Sequence, residues 1–284
     1  MKFASYTVAG RASYGLVEGE WIADVGAVLA ADYPDLRAVV AAGAYGAAQD
    51  AAAQAERLSL SEIVFAPVIP NPAKIFCVGH NYETHRQETG RAKTDYPSIF
   101  TRFADSQIGH RQAITLPKVS TMLDFEGELA VVIGTGGRSI PVADALSHVA
   151  GYGCYNDASV RDWQWHTQQF TPGKNFPGTG AFGPWLVTAD EVGDPAALSV
   201  TTRVNGQVVQ SQPTADMIFP VATLIAYIST FTPLSPGDVI VSGTPGGVGA
   251  KRQPPLWLKD GDVVEVDIPG VGLLMNKVRM EAEG

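Results

Sequence analysis

The sequence predicts an α+β protein in which strands outnumber helices, and three observations support this fold class. Short runs of alternating apolar and polar residues, bounded by Gly, Pro or Asn-Gly, recur along the chain. The helical patterns are few and do not alternate regularly with the strands, which argues against a doubly wound sheet. The 284 residues, 45% hydrophobic and 17% charged, suffice for one large globular domain or for a large and a small one.

The first 70 residues are predicted to form a small N-terminal α+β domain. Residues 1–25 alternate and turn at Gly10 and Gly19, which predicts a β meander. The segment Asp35–Glu56 is rich in Ala and lacks Pro, which predicts a helix. Three prolines then indicate a connector, namely Pro67, Pro70 and Pro72. We therefore expect domains at residues 1–70 and 71–284.

The larger domain is predicted to contain most of the strands. Its predicted strands and hairpin are Lys74–Gly79, Leu123–Gly134, Tyr152–Ser159 ending in a turn, a hairpin at Asn205-Gly206, Gly237–Gly243, Gly261–Gly270 and Val271–Val278. Its predicted helices are Asn81–Gly90, Val142–Gly151 and a segment within Pro220–Leu234.

The charge balance and the N-terminus limit the classes of partner. The formal net charge of −9 repels nucleic-acid phosphates and anionic lipid, so we expect neither nucleic acid nor membrane as a partner. Only Cys77 and Cys154 are present, which fits a reducing compartment better than a disulfide framework. The first residues alternate and turn before an apolar signal core could form. We expect a cytoplasmic protein.

Three acidic residues at alternate positions form the sharpest chemical motif. Asp124, Glu126 and Glu128 would lie on one face of a strand, with neighbours about 6 to 7 Å apart. If the strand is buried, these carboxylates must become protonated or bind a cation. All-oxygen ligands favour Mg²⁺, Mn²⁺ or Ca²⁺. The alternative is an exposed strand face with alternating acids.

A fourth acidic residue precedes two polar residues at helical spacing. Arg161 and Gln164 follow Asp157 by four and seven positions, which would place all three on one helix face. Asp157 would complete a three-carboxylate site, and the other two would bind an anionic substrate together with Lys174. The alternative is a helix N-cap at Asp157 and a surface ion pair at Arg161.

Two further motifs complete the candidate site. His85 and Glu88, spaced i and i+3 on a helix, form a candidate pair for deprotonating water. The Gly-rich turn Val241–Gly249 has amides and a Thr244 hydroxyl that could hold a carboxylate. The alternatives are a solvated helix face and a structural turn. The remaining histidines are expected to be structural or on the surface: His80, His110, His148 and His166.

In this order, the motifs resemble the fumarylacetoacetate hydrolase family over roughly residues 70 to 280. The stretches that carry the resemblance are KIFCVGHNYETHRQETG, LDFEGELAVVIG, GYGCYNDASVRDWQ with Gly173-Lys174, VNGQVVQSQPTADMIF and LSPGDVIVSGTPGGVG. The resemblance implies a β-rich mixed β-sandwich roll built as a homodimer. It also implies Mg²⁺ or Mn²⁺, with Ca²⁺ able to replace it in a crystal, bound by Glu126, Glu128 and Asp157, with Asp124 outside the ligand set.

The resemblance further implies a metal-dependent hydrolase that cleaves a C–C bond in an acylpyruvate or related β-diketo acid, in the catabolism of aromatic or sugar-acid compounds. The 2-oxo acid end of such a substrate would chelate the metal. The implied catalytic residues are His85, Glu88 and Lys174. The implied substrate-binding residues are Arg161, Gln164, Thr244, Tyr82 and His80.

Alternative activities and three departures from the family pattern remain. The same metal site would serve a decarboxylase of an oxaloacetate-like acid or an isomerase of a 2-oxo diacid, and a catalytically silent binding homologue is the alternative from another class. His80 and His110 stand where the family usually has other residues, and Arg102 stands where many members have Lys. We expect all three to line the pocket.

Overall fold

A computed structural model describes residues 1–282 of the chain. Its strands are β1 (Lys2–Val8), β2 (Arg11–Glu18), β3 (Trp21–Ala23), β4 (Arg57–Ser59), β5 (Val64–Phe65), β6 (Ile75–Gly79), β7 (Ser98–Arg102), β8 (Gln107–Ile108), β9 (Ala113–Leu116), β10 (Leu123–Asp124), β11 (Gly127–Ile133), β12 (Val149–Asp157), β13 (Ser159–Val160), β14 (Gly180–Thr188), β15 (Ser199–Val204), β16 (Gln207–Pro213), β17 (Val239–Val241), β18 (Val263–Ile268) and β19 (Gly272–Met280). Its α-helices are α1 (Val25–Leu29), α2 (Leu36–Ala42), α3 (Tyr45–Ala52), α4 (Glu83–Thr89), α5 (Arg161–Gln164), α6 (Thr171–Lys174), α7 (Ala189–Val192) and α8 (Val221–Phe231).

Two mixed sheets form the body of the protein and confirm the predicted fold class. The larger sheet runs in the order β4-β3-β2-β1-β14-β12-β11-β17-β6-β7, and the smaller in the order β16-β15-β18-β19-β9. One apolar cluster joins them, because Leu129 and Val131 of the larger sheet share it with Val266 and Leu274 of the smaller. Strand β11 is buried along its whole length, which explains its almost unbroken apolar sequence.

The N-terminal segment forms the predicted meander, but its Ala-rich stretch is not one helix. Helix α2 ends at Gly43, whose φ of 60° lies in the left-handed region, and α3 begins two residues later. Strand β1 pairs with β14, so residues 1–70 share the larger sheet with the rest of the chain. The division into domains at 1–70 and 71–284 therefore stays a prediction.

Two predicted elements of the larger part differ from the structure. The single strand predicted over Leu123–Gly134 is interrupted, because the amides of Phe125 and Glu126 bond to the side chains of Asp124 and Asn156 rather than to a neighbouring strand. The helix predicted over Val142–Gly151 is also wrong. Only a 3₁₀ turn forms at Ala145–His148, and Val149 already pairs with Ile133 as the start of β12.

The other predicted helices and strands of this part are confirmed. Helix α4 lies within the predicted 81–90 segment, and α8 lies within 220–234. The β15–β16 hairpin turns at Asn205 and Gly206, whose positive φ angles of 51° and 78° suit an Asn-Gly turn. None of the helices in the described part is both long and apolar enough to cross a membrane. The homodimer, the absence of a nucleic-acid partner and the cytoplasmic location stay predictions.

Candidate active site

The carboxylates of Glu126, Glu128 and Asp157 meet inside the protein. One oxygen from each lies within 4.8 Å of the others, and all three residues are buried. Glu126 occupies the break before β11, Glu128 lies on β11, and Asp157 ends the neighbouring strand β12. A backbone hydrogen bond of 2.8 Å from the amide of Asp157 to the carbonyl of Glu126 fixes the two segments together. The predicted three-residue set is therefore brought together.

Asp124 lies outside this cluster, and the break in the strand is the reason. It accepts hydrogen bonds from the amides of Gly249 (2.8 Å) and Ala250 (3.0 Å) and from Arg161 Nε (2.8 Å). The expectation that Asp124, Glu126 and Glu128 share one face of one continuous strand is thus wrong. Asp157 likewise ends a strand rather than belonging to the helix that carries Arg161.

Three buried cations surround the carboxylates. Lys174 Nζ lies 2.6 Å from Glu126 Oε2 and 2.5 Å from Asp157 Oδ2. Arg161 Nη2 lies 2.7 Å from Glu126 Oε1, and Arg102 Nε donates to Asp157 Oδ1. Burial alone would lower the pKa of Lys174, but the charges of Asp157 and Glu126 raise it above its ordinary value.

Glu128 differs from its two neighbours because no cation pairs with it. Among the described residues it makes no ion pair, and its recorded partner is the amide of Gly243. Burial, together with the charges of Asp157 and Glu126, raises the pKa of Glu128 well above its ordinary value. A buried carboxylate without a cation, beside two others, fits a divalent metal site with oxygen ligands.

The His85–Glu88 pair forms as predicted on helix α4. His85 is 5% exposed, and its Nδ1 lies 2.7 Å from Glu88 Oε1. Because the carboxylate accepts at Nδ1, the neutral ring carries its proton there and keeps Nε2 free as a base. The alternative of a solvated helix face does not apply to His85, which lines a pocket together with Glu126 and Glu128.

The Gly-rich turn after β17 holds protein carboxylates. The amide of Gly243 donates to Glu128, that of Gly247 to Glu88 Oε2 at 2.8 Å, and those of Gly249 and Ala250 to Asp124. The sequence indicated a carboxylate-binding turn, and the carboxylates bound in the structure belong to the chain itself. The Thr244 hydroxyl donates to the carbonyl of Gly127 and accepts from Gln210.

The pocket above the carboxylates has a volume of about 120 Å³. The predicted site residues on its wall are His80, His85, Glu126, Glu128, Arg161, Gln164, Lys174 and Thr244. Within this set, Arg161 directs its donors to Asp124, Glu126 and Gln164. The hydrogen bond from Arg161 uses the Gln164 carbonyl oxygen, and the Gln164 amide group has no protein partner among residues 1–282.

Three expected pocket residues lie elsewhere. Tyr82 is fully buried and absent from the pocket wall, so its predicted substrate contact finds no support in the geometry. Arg102 lies behind the pocket, where it binds Asp157 and the carbonyl of Ala158. His110 packs edge-on against Phe65 and accepts from the amide of Met275. The expectation that Arg102 and His110 line the pocket is wrong, because both are satisfied by structural contacts.

Sequence reasoning missed the aromatic part of the wall, formed by Phe100, Trp165 and Phe170. Phe100 lies on a strand that the sequence did not reveal, and the other two follow the short helix α5. No period or motif marks an aromatic residue in such a segment as a pocket residue.

Comparison with known proteins identifies the family of the chain. The family model "Fumarylacetoacetate (FAA) hydrolase C-terminal" matches residues 74–279, which include every residue of the site. The chain belongs to the fumarylacetoacetate hydrolase family.

Within this family, the human protein "Oxaloacetate tautomerase FAHD2A, mitochondrial" is 45% identical over 229 residues, covering 80% of this chain and 73% of that protein. The fumarylacetoacetate hydrolase of Exiguobacterium antarcticum has a TM-score of 0.86 at 36% identity, covering 99% of this chain and 100% of the other. The maleylpyruvate hydrolase of Sphingobium sp. SYK-6, solved with manganese(II) and pyruvate, has a TM-score of 0.83 at 29% identity with the same coverage. These relatives are enzymes, and one of them binds a divalent metal.

Proposed function

We propose that this protein is a divalent-metal-dependent enzyme that interconverts the keto and enol forms of a 2-oxo dicarboxylic acid of the oxaloacetate type. The observation that carries the proposal is the His85–Glu88 pair, in which Glu88 holds Nδ1 and His85 lines the same pocket as Glu126 and Glu128 with its Nε2 left free. The 45% identity with a human oxaloacetate tautomerase, over a region that includes both groups, supports this choice of substrate.

The metal-binding residues in this proposal are Glu126, Glu128 and Asp157. Their oxygen donors suit Mg²⁺ or Mn²⁺, and the uncompensated Glu128 is the observation that favours a cation there. When bound, the cation would polarise the keto group and stabilise negative charge on its oxygen.

The proton transfer is assigned to His85. Its Nε2 removes a proton from the carbon next to the keto group, and the electron pair of that C–H bond forms the enol double bond. The keto oxygen takes a proton from solvent, and the imidazolium returns its own proton to solvent. Glu88 holds the ring in the required tautomer and stabilises the imidazolium that forms. Lys174 and the free amide of Gln164 lie on the same wall and would orient the oxygens of the acid.

A second candidate is the hydrolysis of an acylpyruvate C–C bond. It is favoured by the similarity to solved hydrolases, one of which was solved with manganese(II) and pyruvate. The same His85 Nε2 would then take a proton from water while the water oxygen bonds to the carbonyl carbon of the acyl group. The C–C bond to the pyruvate unit would break, its electron pair would form the pyruvate enolate, and the imidazolium would return its proton to that enolate. The two candidates share the site and differ in the group that gives up its proton.

The test follows the near-UV enol absorbance of oxaloacetate and of acetylpyruvate with Mn²⁺, with Mg²⁺ and with EDTA, in the parent and in His85→Ala. We expect metal-dependent tautomerisation of oxaloacetate that EDTA abolishes and the variant slows at least a hundredfold. Cleavage of acetylpyruvate to pyruvate would move the assignment to the hydrolase. Loss of CO₂ from oxaloacetate that is independent of His85 would indicate decarboxylation, and no turnover of either acid would refute the proposal.

A further inference from the structure

A second pocket adjoins the first, and the two share part of their wall. It also has a volume of about 120 Å³, and its wall includes Arg86 of helix α4 but none of the three clustered carboxylates. The shared residues are Gly79, His80, Arg91 and Phe170. The two pockets are therefore neighbours that meet at these four residues.

Aromatic rings connect the catalytic pair to the guanidinium of Arg91. The ring of His80 stacks on that of His85, with centroids 5.2 Å apart and planes inclined by 12°. His80 also meets Phe170 edge-on at 6.1 Å, and Arg91 lies over the Phe170 ring at 6.0 Å. A ring of this kind fixes the plane of a guanidinium while leaving its N–H donors free.

Arg91 is a positioned cation without a counter-ion. Its amide donates to the carbonyl of Arg86 across Gly90, which has φ 70° and ends helix α4, so its backbone is fixed. No carboxylate among residues 1–282 lies within ion-pair distance of its guanidinium. By contrast, Arg86 of the second pocket is neutralised by Glu83 at 2.6 Å.

The neighbouring imidazole of His80 is neutral, so Arg91 is the group beside it that would bind an anion. Burial, together with the charge of His85, lowers the pKa of His80 to about 4, so His80 is neutral near pH 7. Lys93 lines only the second pocket, and Lys251 lines only the first. Arg91 is thus the cation found on the wall of both pockets in the described part of the chain.

We propose that Arg91 binds the distal carboxylate of a 2-oxo dicarboxylic acid, and that the second pocket accommodates that end of the longer acids. The inference rests on the proposed function, because the 2-oxo acid end must lie at the carboxylate cluster. It adds to that function the residue that selects the distal group, since Arg91 would make the site prefer acids with a terminal carboxylate over acids of the same length that end in a methyl group. A planar guanidinium suits this task because it can bind a carboxylate through two parallel hydrogen bonds.

The experiment compares the equilibrium binding of pairs of ligands that differ only in the distal group. Calorimetric titration in the presence of Mn²⁺ gives the Kd of 2-oxoglutarate against 2-oxovalerate, and of 2-oxoadipate against 2-oxohexanoate. For the parent we expect the diacid to bind about 10- to 100-fold more tightly than its partner in at least one pair. Arg91→Ala should reduce this ratio to within about threefold of one, and Arg91→Lys should restore part of it.

Lys251→Ala is the matched control, because it removes an exposed, unpaired cation from the mouth of the first pocket only. The diacid preference should survive in it. An equal loss of preference in both alanine variants would overturn the inference in favour of a diffuse effect of positive charge, as would equal binding of diacid and monoacid by the parent. Because the ligands need no turnover, failure of the tautomerase and hydrolase assays leaves this result interpretable. A parent that binds none of the four acids would refute the 2-oxo acid site together with the inference.

Discussion

Replacing Glu88 by Gln tests the His85–Glu88 pair directly, because Gln cannot accept both of the hydrogen bonds that the two oxygens of Glu88 accept. Glu88 Oε1 lies 2.7 Å from His85 Nδ1, and Oε2 accepts from the amide of Gly247 at 2.8 Å. A Gln side chain of the same shape offers one acceptor and one NH₂ group. If its oxygen faces Gly247, its NH₂ group faces Nδ1 and drives the histidine proton to Nε2. The base is then protonated at the atom that must accept a proton.

The size of the effect follows from what the pair contributes. General base catalysis by a positioned histidine is worth about 10²- to 10⁴-fold in rate. We therefore expect the kcat of Glu88→Gln to fall by about that factor on oxaloacetate or acetylpyruvate with saturating Mn²⁺. The KM should change by less than about fivefold, since Glu88 does not line the pocket. The assay is the enol absorbance followed by stopped flow.

Glu83→Gln is the control for this substitution. Glu83 lies on the same helix and pairs with Arg86, and it does not line the first pocket. We expect its kcat to stay within about twofold of the parent value. A kcat for Glu88→Gln within about threefold of the parent, with both variants folded by circular dichroism, would refute the assignment of His85 as the base.

Two further predictions concern the metal site and the dependence of stability on pH. Mn²⁺ should raise the Tm of the parent, since a ligand at a hundred times its Kd stabilises the folded state by about 2.7 kcal/mol, and this increase should largely disappear in Glu128→Gln. Without metal, the Tm of Glu128→Gln should not fall below that of the parent, because the substitution removes a buried carboxylate that no cation of the described residues pairs with. An undiminished effect of Mn²⁺ on the Tm of the variant would contradict this prediction. Burial and the charge of Arg111 lower the pKa of His110 to about 4, below the ordinary 6.5. Between these two pH values the unfolded chain binds a proton at His110 that the folded protein does not. The free energy of unfolding should therefore fall as the pH drops from about 6.5 to 4. His110→Asn should lose roughly 1 to 3 kcal/mol less than the parent over that range in urea titrations, and identical pH profiles would show that His110 is not responsible.

The motifs that the sequence predicted well are those in which one local rule decides the geometry. His85 and Glu88 meet because i and i+3 are neighbours on any helix, and the Asn205-Gly206 turn forms because its positive φ angles suit these residues. The grouping of Glu126, Glu128 and Asp157 needed more than periodicity. The family resemblance implied this set of residues, and the structure shows that the pairing of β11 with β12 brings it together.

The errors arose where tertiary contacts override local patterns. Alternation placed Asp124 beside Glu126, but hydrogen bonds from the amides of Gly249 and Ala250 hold Asp124 elsewhere, and these residues are more than a hundred positions away along the chain. The helix predicted over Val142–Gly151 does not form, because its last residues belong to β12. The first residue of β12, the β-branched Val149, pairs with Ile133, and β12 is buried along its whole length. No rule based on neighbouring residues contains either contact.

The Gly-rich turn fixes the distance between two parts of the site, the carboxylate cluster and the His85–Glu88 pair. Gly243 holds the carboxylate cluster through Glu128, and four residues later Gly247 holds the catalytic pair through Glu88. At Gly247 the φ of 108° and a distance of 2.3 Å from an added Cβ to the carbonyl of Val209 leave no room for a side chain. The distance between the carboxylate cluster and the His85–Glu88 pair is therefore set by one short backbone segment.

Arg91 and Phe170 lie outside that segment, and neither bonds to it among the described contacts. Substitutions at these two positions can change which distal group is accepted while the turn keeps the base and the carboxylates in place. This separation gives a physical reason why relatives of this chain can carry the names of a tautomerase and of hydrolases of different acids. In this chain, the distal wall and not the reacting end should decide between acids that share a 2-oxo group.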